Sequence, residues 1–424
     1  MAKPNIIFIT IDSLRADALG AYGNNRAQTP HLDALAKQGV RFGLDITQYP
    51  QTDYSHAAMF TGASPASIKD TYRTPYVLNS SDVPTKPMTT LAEILAGQGY
   101  TTAGIYSYVG LTPELSGLNR GFMTYQFACL PAPEQKYLER LCDGRANITT
   151  DAALQWVKDK AATPYFLWVH YQDPHYPYTP PPPFDTMYGP PCPDCVDGSY
   201  ETIDRLGAGE PISESNIARL VDLYYGETSF TDQEIGRLLE NIGNARLLDN
   251  TLVIVTADHG ESFNEHGLWF HPGILYNPVA RVPLIISYPE TIPGGSVVDA
   301  LVRSIDIMLT ILELVNIPPP EQAEGKSLWP LILGLEQESE RVAILEERDD
   351  NWVALITKNW KLIRNNVTGG LELYDMIMDY DESNNLASIN LEQALQMEWE
   401  LISWMNSHGI TVQRGPLAPM DSVP

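Results

Sequence analysis

The chain has 424 residues, of which 44% are hydrophobic, so it can bury a sizeable core and is not a disordered chain. Its 53 acidic and 27 basic residues give a formal net charge of −26 at pH 7. That charge argues against nucleic acid or an anionic membrane surface as the main partner. Since the sequence contains no apolar span of 18 residues and no signal-peptide pattern, we expect a cytoplasmic protein without a membrane anchor.

Apolar runs that predict strands alternate with helical patterns through most of the chain. We expect strands at 5–11, 101–106, 165–171, 251–257 and 282–287, and helices at 32–38, 57–60, 91–98, 152–160, 221–244 and 305–315. This alternation favours an α/β sheet that is covered by helices on both faces.

The pattern changes near residue 340, where short apolar runs come at close spacing. These runs lie at 342–345, 352–356, 360–363 and 371–374, and a helical pattern follows at 391–407. Short spacing with turn-rich breaks predicts a small antiparallel sheet. We therefore predict a large α/β domain over residues 1–340 and a small C-terminal α+β lobe with a closing helix over 341–424.

Two predicted strands end in residues that are suited to bind a metal ion. Asp12 follows strand 5–11, and Asp258 and His259 follow strand 251–257. Ligands of open α/β sheets bind outside the carboxyl ends of the strands, so we expect these side chains to meet there. A carboxylate beside an imidazole suits several divalent metals.

Several segments in a fixed order carry a family resemblance. They are Pro4-Asn-Ile-Ile-Phe-Ile-Thr-Ile-Asp12, Thr29-Pro-His-Leu-Asp33, Asp173-Pro-His-Tyr-Pro177, Tyr225-Gly-Glu-Thr-Ser229, Thr256-Ala-Asp-His-Gly-Glu261, Leu373-Tyr-Asp375 and Asn385-Leu386. The chain resembles the sulfatase family of the alkaline phosphatase superfamily. The resemblance implies an alkaline-phosphatase-like mixed sheet sandwiched by helices. It also implies a divalent metal that is held by Asp12, Asp258 and His259.

The sequence departs from the family at the nucleophile. Sulfatases of this family carry Cys or Ser followed by x-Pro-x-Arg, which matures to formylglycine, whereas this chain reads Thr52-Asp-Tyr-Ser-His56. This pattern resembles the phosphodiesterase, phosphonate-hydrolase and phosphoethanolamine-transferase branches, in which an unmodified threonine attacks phosphorus. The resemblance implies that Thr52 is both nucleophile and metal ligand. The alternative is that Thr52 only caps the helix predicted to follow it.

Histidines supply the other expected catalytic groups. By resemblance, His175 contacts the substrate anion and His271 binds the anion or protonates the leaving group, while His56 acts beside the nucleophile. His170 is interpreted as structural. Ser107 stands where many family members carry a lysine, which removes one positive charge from the expected site.

The number and identity of the metal ions follow less directly from the residues. Ser13 replaces a usual second acidic ligand, which points to a single ion. Calcium is what ordinary sulfatases imply, whereas manganese or zinc suits a thinner acidic set with imidazole. The choice among Mn, Zn and Ca stays open.

A disulfide between Cys192 and Cys195 also stays open. These two residues form Cys-Pro-Asp-Cys in a proline-rich loop.

Three functional hypotheses follow. The first is a metal-dependent hydrolase of phosphodiesters or phosphonate esters that uses Thr52. The second is a sulfuric ester hydrolase that works without formylglycine, and the third is a non-catalytic family member that binds an anion. In the first two the partner is a small anionic ester. We expect neither nucleic acid nor membrane binding, and a homo-oligomer stays open.

Overall fold

The structure is a computed structural model that describes residues 3–71, 88–131, 142–162, 164–190, 195–244, 248–289, 291–336, 341–347 and 350–412. Its centre is a mixed sheet of eight strands with the spatial order β12-β2-β11-β8-β1-β7-β3-β4. These strands are β1 (Asn5–Ile11), β2 (Val40–Ile46), β3 (Thr101–Tyr106), β4 (Thr124–Phe127), β7 (Tyr165–Tyr171), β8 (Thr251–Ala257), β11 (Arg281–Ser287) and β12 (Ser296–Arg303).

Most neighbouring strands of this sheet run parallel. β1 pairs in parallel with β7 on one side and with β8 on the other, and every residue of all three strands is buried. β11 is the exception, because it lies antiparallel between β8 and β2. Strand β8 therefore ends, and β11 begins, at the same edge of the sheet.

Helices and short strands surround the sheet. The helices are α1 (Pro30–Gln38), α2 (Thr52–Thr61), α3 (Pro65–Thr71), α4 (Leu91–Gly97), α5 (Pro113–Ser116), α6 (Ala146–Lys160), α7 (Tyr200–Gly207), α8 (Glu214–Asn244), α9 (Asn277–Ala280), α10 (Asp306–Leu314) and α11 (Trp329–Ile332). Short strand pairs are formed by β5 (Leu130–Pro131) with β6 (Cys142–Asp143) and by β9 (Ser262–Phe263) with β10 (Trp269–Phe270).

The two faces of the sheet bury separate apolar cores. Ile6 and Phe8 of β1 point into one core with Phe60 of α2, whereas Ile7 and Ile9 point into the other. This division follows from the two-residue repeat of a strand, which sends alternate side chains to opposite faces. The fold is therefore the helix-covered mixed sheet that the sequence predicts.

The C-terminal part forms a second sheet with a closing helix. Its strands β13 (Ala343–Glu346), β14 (Trp352–Ile356), β15 (Trp360–Asn365) and β16 (Leu371–Asp375) pair antiparallel in chain order, and helix α12 (Leu391–Ser407) packs on them. A further apolar cluster joins this sheet to the main domain and includes Ile46, Leu275, Leu345 and Ile356. The predicted C-terminal lobe is confirmed, and the exact boundary at residue 340 stays a prediction.

The sequence analysis missed strands β2 and β12 at one edge of the main sheet and β4 at the other. β2 and β12 pair with each other and carry partly exposed positions, so neither presents a continuous apolar run. The predicted start of helix α2 is also late, because the helix begins at Thr52. No helix in the described part of the chain has the length and apolarity needed to cross a membrane.

The oxidation state of the cysteines is relevant to the cellular location that is expected from the sequence. Cys129 and Cys195 are each disulfide-bonded, and Cys192 lies outside the described residues. Disulfides persist mainly in oxidising compartments. The cytoplasmic location therefore stays a prediction that this chemistry does not favour.

A buried ion pair holds the C-terminal sheet to the main domain, and its loss should be costly. Lys361 Nζ lies 2.7 Å from Glu382 Oε1, both side chains are fully buried, and Glu382 Oε2 accepts a 2.6 Å hydrogen bond from the Asn277 N–H. We expect Glu382→Gln to lower the free energy of unfolding by about 3 kcal/mol, because Lys361 is left as an unpaired buried charge. Urea unfolding measures this, with exposed Glu392→Gln as the control. A loss below about 1 kcal/mol would contradict the prediction.

Candidate metal centre and active site

Strand register brings the two candidate carboxylates together. Ile11 pairs with Tyr171 of β7 and with Ala257 of β8, so Asp12 and Asp258 leave the sheet side by side. The Asp12 N–H continues the ladder by donating to the Tyr171 carbonyl at 2.8 Å. Both carboxylates are fully buried. The predicted meeting of the two strand ends is therefore present in the structure.

Ser13 organises these carboxylates in place of the expected second acidic residue. Its backbone turns into the left-handed region with φ 59°, so its N–H donates to Asp258 Oδ1 at 3.2 Å and its hydroxyl donates to Asp12 Oδ1 at 3.2 Å. The His259 N–H also donates to Asp258 Oδ1 at 2.8 Å. Asp258 Oδ2 has no hydrogen-bond partner among the described residues. A buried carboxylate oxygen in this state is suited to ligate a cation.

His259 is held in the tautomer that a metal ligand requires. Its Nδ1 donates to the Gly260 carbonyl at 2.9 Å, which leaves the Nε2 lone pair to face the carboxylates. Nε2 lies 3.6 Å from Asp12 Oδ1 and 3.6 Å from Asp258 Oδ2. Burial lowers the pKa of His259 to about 4, so the ring is neutral at physiological pH, and neutral imidazole is the form that binds metal.

The residues present fit a divalent cation. Ligand atoms of Asp12, Asp258 and His259 all lie within 4.8 Å of one another. Burial, together with the Asp12 charge, raises the pKa of Asp258 to about 7. No lysine or arginine in the described ranges forms an ion pair with either carboxylate, so a bound cation is the charge that would stabilise the ionised pair.

Thr52 is the first residue of α2, and its hydroxyl points into this cluster. Oγ1 lies 3.5 Å from Asp12 Oδ2 and 3.4 Å from His259 Nε2. Gln51, not Thr52, is the N-cap residue, and no side chain makes a capping hydrogen bond there. The interpretation of Thr52 as a helix cap is therefore wrong.

His56 lies one turn further along α2 and is fully hydrogen bonded within the protein. Its Nδ1 donates to the Thr52 carbonyl at 2.7 Å, and its Nε2 accepts from the Thr10 hydroxyl at 3.0 Å. Trp168 Nε1 donates to the same Thr10 oxygen at 2.9 Å. Burial lowers the pKa of His56 to about 3, so the ring is neutral. These contacts suit a residue that positions Thr52 more than one that transfers protons.

His175 and His271 stand together on the other side of His259. The rings of His259 and His271 stack with centroids 4.1 Å apart, and those of His175 and His271 are 5.2 Å apart. His175 Nδ1 donates to the Tyr176 carbonyl at 2.7 Å, and His271 Nδ1 and Glu261 Oε1 share a hydrogen bond of 3.0 Å. No described protein group hydrogen bonds to Nε2 of either ring. Both can therefore present Nε2 to a substrate.

Sequence reasoning missed two residues of this cluster. Glu261 is fully buried, and burial raises its pKa to about 7. His170, interpreted from sequence as structural, lies with its Nε2 3.6 Å from Asp12 Oδ2. The signal for His170 is its place on β7, where it pairs in register with Thr10 just before Asp12. Ser107 is not directed at substrate, since its hydroxyl donates to the His170 carbonyl at 2.8 Å.

Comparisons with known proteins fit this architecture. A sulfatase family model matches residues 4–317, and a model of the C-terminal part of N-sulphoglucosamine sulphohydrolase matches residues 264–405. An ulvan-active sulfatase from Formosa agariphila is 28% identical over 427 residues, which cover 93% of this chain and 79% of that protein.

Two solved structures share the fold. One is a protein in complex with its substrate D-glucosamine-2-N,6-O-disulfate, with a TM-score of 0.77, 21% identity and coverage of 96% of this chain and 98% of the other. The second is a phosphonate monoester hydrolase of Agrobacterium radiobacter, with a TM-score of 0.76, 19% identity and 96% coverage of each chain. The protein is thus an ester-bond hydrolase of the alkaline phosphatase superfamily. Within that superfamily, the chain belongs to the sulfatase family.

Metal binding should be visible as stabilisation. We expect Mn²⁺ or Zn²⁺ at about a thousandfold above its dissociation constant to raise the free energy of unfolding of EDTA-treated protein by about 4 kcal/mol. Asp258→Asn should lose this effect, because the substitution removes the charge on the carboxylate whose Oδ2 faces the site. Differential scanning calorimetry with and without metal measures it, and Asp151→Asn on the surface is the matched control. If metal stabilised Asp258→Asn and Asp151→Asn equally, the metal would bind at a site that does not include Asp258.

Proposed function

We propose that the protein hydrolyses phosphodiesters or phosphonate monoesters with Thr52 as the nucleophile and one divalent cation held by Asp12, Asp258, His259 and Thr52. The observation that carries this proposal is the position of Thr52 Oγ1, 3.5 Å from Asp12 Oδ2 and 3.4 Å from His259 Nε2. A hydroxyl in that place belongs to the ligand set, and it makes no capping bond that would explain it otherwise.

The chemistry divides between the cation and the side chains. A bound divalent cation would lower the pKa of the Thr52 hydroxyl and offset negative charge on the substrate. The amino end of α2 supplies backbone N–H groups on the same side as Thr52 Oγ1, where they favour an anion. His56 fixes the Thr52 carbonyl and with it the first turn of the helix.

Proton transfer to the leaving group is proposed for His271. Burial raises the pKa of Glu261 and lowers that of His271. In the absence of substrate, the proton between Glu261 Oε1 and His271 Nδ1 therefore lies on Glu261. An anion at His271 Nε2 would draw this proton onto the imidazole. Thr52 gives its hydroxyl proton to solvent as its oxygen bonds to phosphorus, and as the ester bond breaks, His271 Nε2 gives a proton to the departing oxygen. It then accepts a proton from the water that releases Thr52.

The charge of the pocket favours a singly charged ester. Arg15 donates to the Glu261 carbonyl at 3.1 Å, and its guanidinium already pairs with Asp17 at 2.7 Å and Glu265 at 2.6 Å. Ser107 adds no charge where many relatives have lysine. With few fixed cations, a diester or phosphonate monoester suits the site better than a dianionic phosphate monoester.

Sulfate-ester hydrolysis is the second candidate. It is supported by the sulfatase family model and by the fold shared with the protein solved with D-glucosamine-2-N,6-O-disulfate. A sulfate monoester also carries a single negative charge, so it suits a pocket with few fixed cations equally well. Against it stands the unmodified threonine at the position of the formylglycine precursor.

The nucleophile can be tested by substitution. We expect Thr52→Ala to lower kcat/KM on aryl phosphodiester or aryl phosphonate by on the order of 10⁴-fold, because the substitution removes the proposed nucleophile, and the other described hydroxyl at the ligand set, that of Ser13, donates to Asp12 Oδ1. Wild type and variant are assayed with Mn²⁺, Zn²⁺ or Ca²⁺ on aryl phosphodiester, phosphonate, phosphate and sulfate. Thr61→Ala, at the other end of α2, is the matched control.

Each pattern of turnover has a separate meaning. Thr52-dependent sulfate turnover alone would replace the proposal with the second candidate. A clear preference for the phosphate monoester would contradict the charge argument. No turnover on any substrate, together with no bound metal, would leave a family member that only binds anions.

The proton donor can be tested with leaving groups of different basicity. We expect His271→Gln to lower kcat/KM by roughly 10² to 10⁴-fold for alkyl leaving groups, which need protonation, and by far less for 4-nitrophenol. The slope of log kcat/KM against leaving-group pKa should therefore steepen in the variant. His266→Gln is the control, since His266 is exposed and stacks on Tyr276. An unchanged slope would remove His271 from this role.

A further inference from the structure

A cavity of about 260 Å³ lies between the main domain and the C-terminal lobe, and it shares no residue with the metal centre. Arg303, Ile305 and Glu324 line it from the main domain, and Ile344, Leu355 and Trp404 line it from the lobe. Ligand sites occur preferentially in hollows where two structural units meet. This cavity is therefore a candidate binding site that is separate from the proposed hydrolytic chemistry.

Several walls of the cavity are apolar. Ile344 and Leu355 belong to the buried core of the C-terminal sheet, and Ile305 belongs to a core of the main sheet. The indole of Trp404 is partly exposed, and the His408 ring stacks on it with centroids 4.2 Å apart. An apolar body in the cavity would gain contacts with these side chains.

Arg303 brings positive charge to the cavity. Its Nη2 donates to Asp306 Oδ1 at 2.8 Å and to the Glu324 carbonyl at 3.3 Å, whereas its Nη1 makes no hydrogen bond with a described residue. Asp306 also pairs with Arg341, whose Nε lies 3.1 Å from Oδ2. One carboxylate thus serves two guanidinium groups, so this trio of side chains carries a net positive charge. Arg303 Nη1 can donate to an anionic group of a ligand.

Glu400 brings an available negative charge. Its Oε1 accepts a 3.2 Å hydrogen bond from the Gln396 amide, and the carboxylate forms no ion pair within the described ranges. The carboxylate of Glu324 differs, because the Ser64 hydroxyl donates to it at 3.1 Å and His408 Nε2 lies 3.5 Å away. Glu400 is therefore the carboxylate of the cavity that can receive an ammonium group.

We propose that the cavity binds a small zwitterion, with its carboxylate at Arg303 Nη1, its ammonium at Glu400 and its apolar body against Trp404 and Leu355. Arg303 and Glu400 line the same cavity without pairing, so a molecule that carries both charges offsets both groups at once. A ligand with one charge would leave the like-charged side chain unpaired beside it. A volume of about 260 Å³ lies just below the range of sites for drug-sized ligands, which suits an apolar α-amino acid.

Calorimetric titration of the whole chain tests this site with matched probes. L-Leucine, 3-methylbutylamine and 4-methylpentanoate share one apolar body and differ in their charged groups. L-Phenylalanine, 2-phenylethylamine and 3-phenylpropanoate repeat the comparison with a larger body. We expect the wild type to bind at least one of the two amino acids about tenfold or more tightly than either of its analogues, because each analogue loses a charge-assisted hydrogen bond.

A substitution at Glu400 separates binding from folding. We expect Glu400→Gln to weaken binding of the amino acid by roughly tenfold or more, since the ammonium loses its partner. Binding of the matched carboxylate, which does not use Glu400, should be no weaker than in the wild type. A general loss of folding would weaken both. Glu392→Gln, at an exposed position of α12, is the control.

Three results would overturn the zwitterion site. They are equal affinity for an amino acid and its amine, unchanged amino-acid affinity in Glu400→Gln, and no saturable binding of either amino acid up to about 10 mM. None of these measurements depends on turnover, so the proposed function stands or falls separately through Thr52→Ala.

Discussion

The site depends on the parallel pairing of β1 with β7 and β8. Since Ile11, Tyr171 and Ala257 share one row of the sheet, the chain segments that follow them leave at the same edge and at the same level. A shift of one residue in either pairing would turn every side chain to the opposite face. The buried apolar rows on both faces prevent that shift, so the core sets the positions of Asp12 and Asp258.

This placement buries two carboxylates close together without a nearby lysine or arginine among the described residues, so a bound cation would have to supply the positive charge that offsets them. Two carboxylates are buried beside imidazoles whose pKa values burial has lowered, and arginine is kept outside by its own pairs with Asp17 and Glu265. Charges buried without a partner destabilise a fold by several kcal/mol. Stability and the proposed chemistry are thereby coupled, since the cation that is proposed to activate Thr52 would also relieve this repulsion.

Much of the fold and part of the site could be predicted from the sequence. The strands at 101–106, 165–171 and 251–257 have the predicted bounds, because uninterrupted apolar runs identify strands that are buried on both faces. β2 and β12 were missed because their partly exposed positions interrupt that signal. The roles of Ser13 and His170 depend on a left-handed backbone turn and on strand register. Neither property can be read from one sequence.

The antiparallel strand β11 has a consequence for how this site can change. Because β8 ends and β11 begins at the same edge, residues 258–280 connect the two strands without crossing a face of the sheet, and they carry His259, Glu261 and His271 of the site. His259 and His271 are placed by this one connection, which also contains the exposed residues Asn264, His266, Gly267 and Leu268. Loops tolerate insertion better than the elements they join. Insertions can therefore lengthen this one connection while the carboxylates and the sheet beneath them keep their geometry.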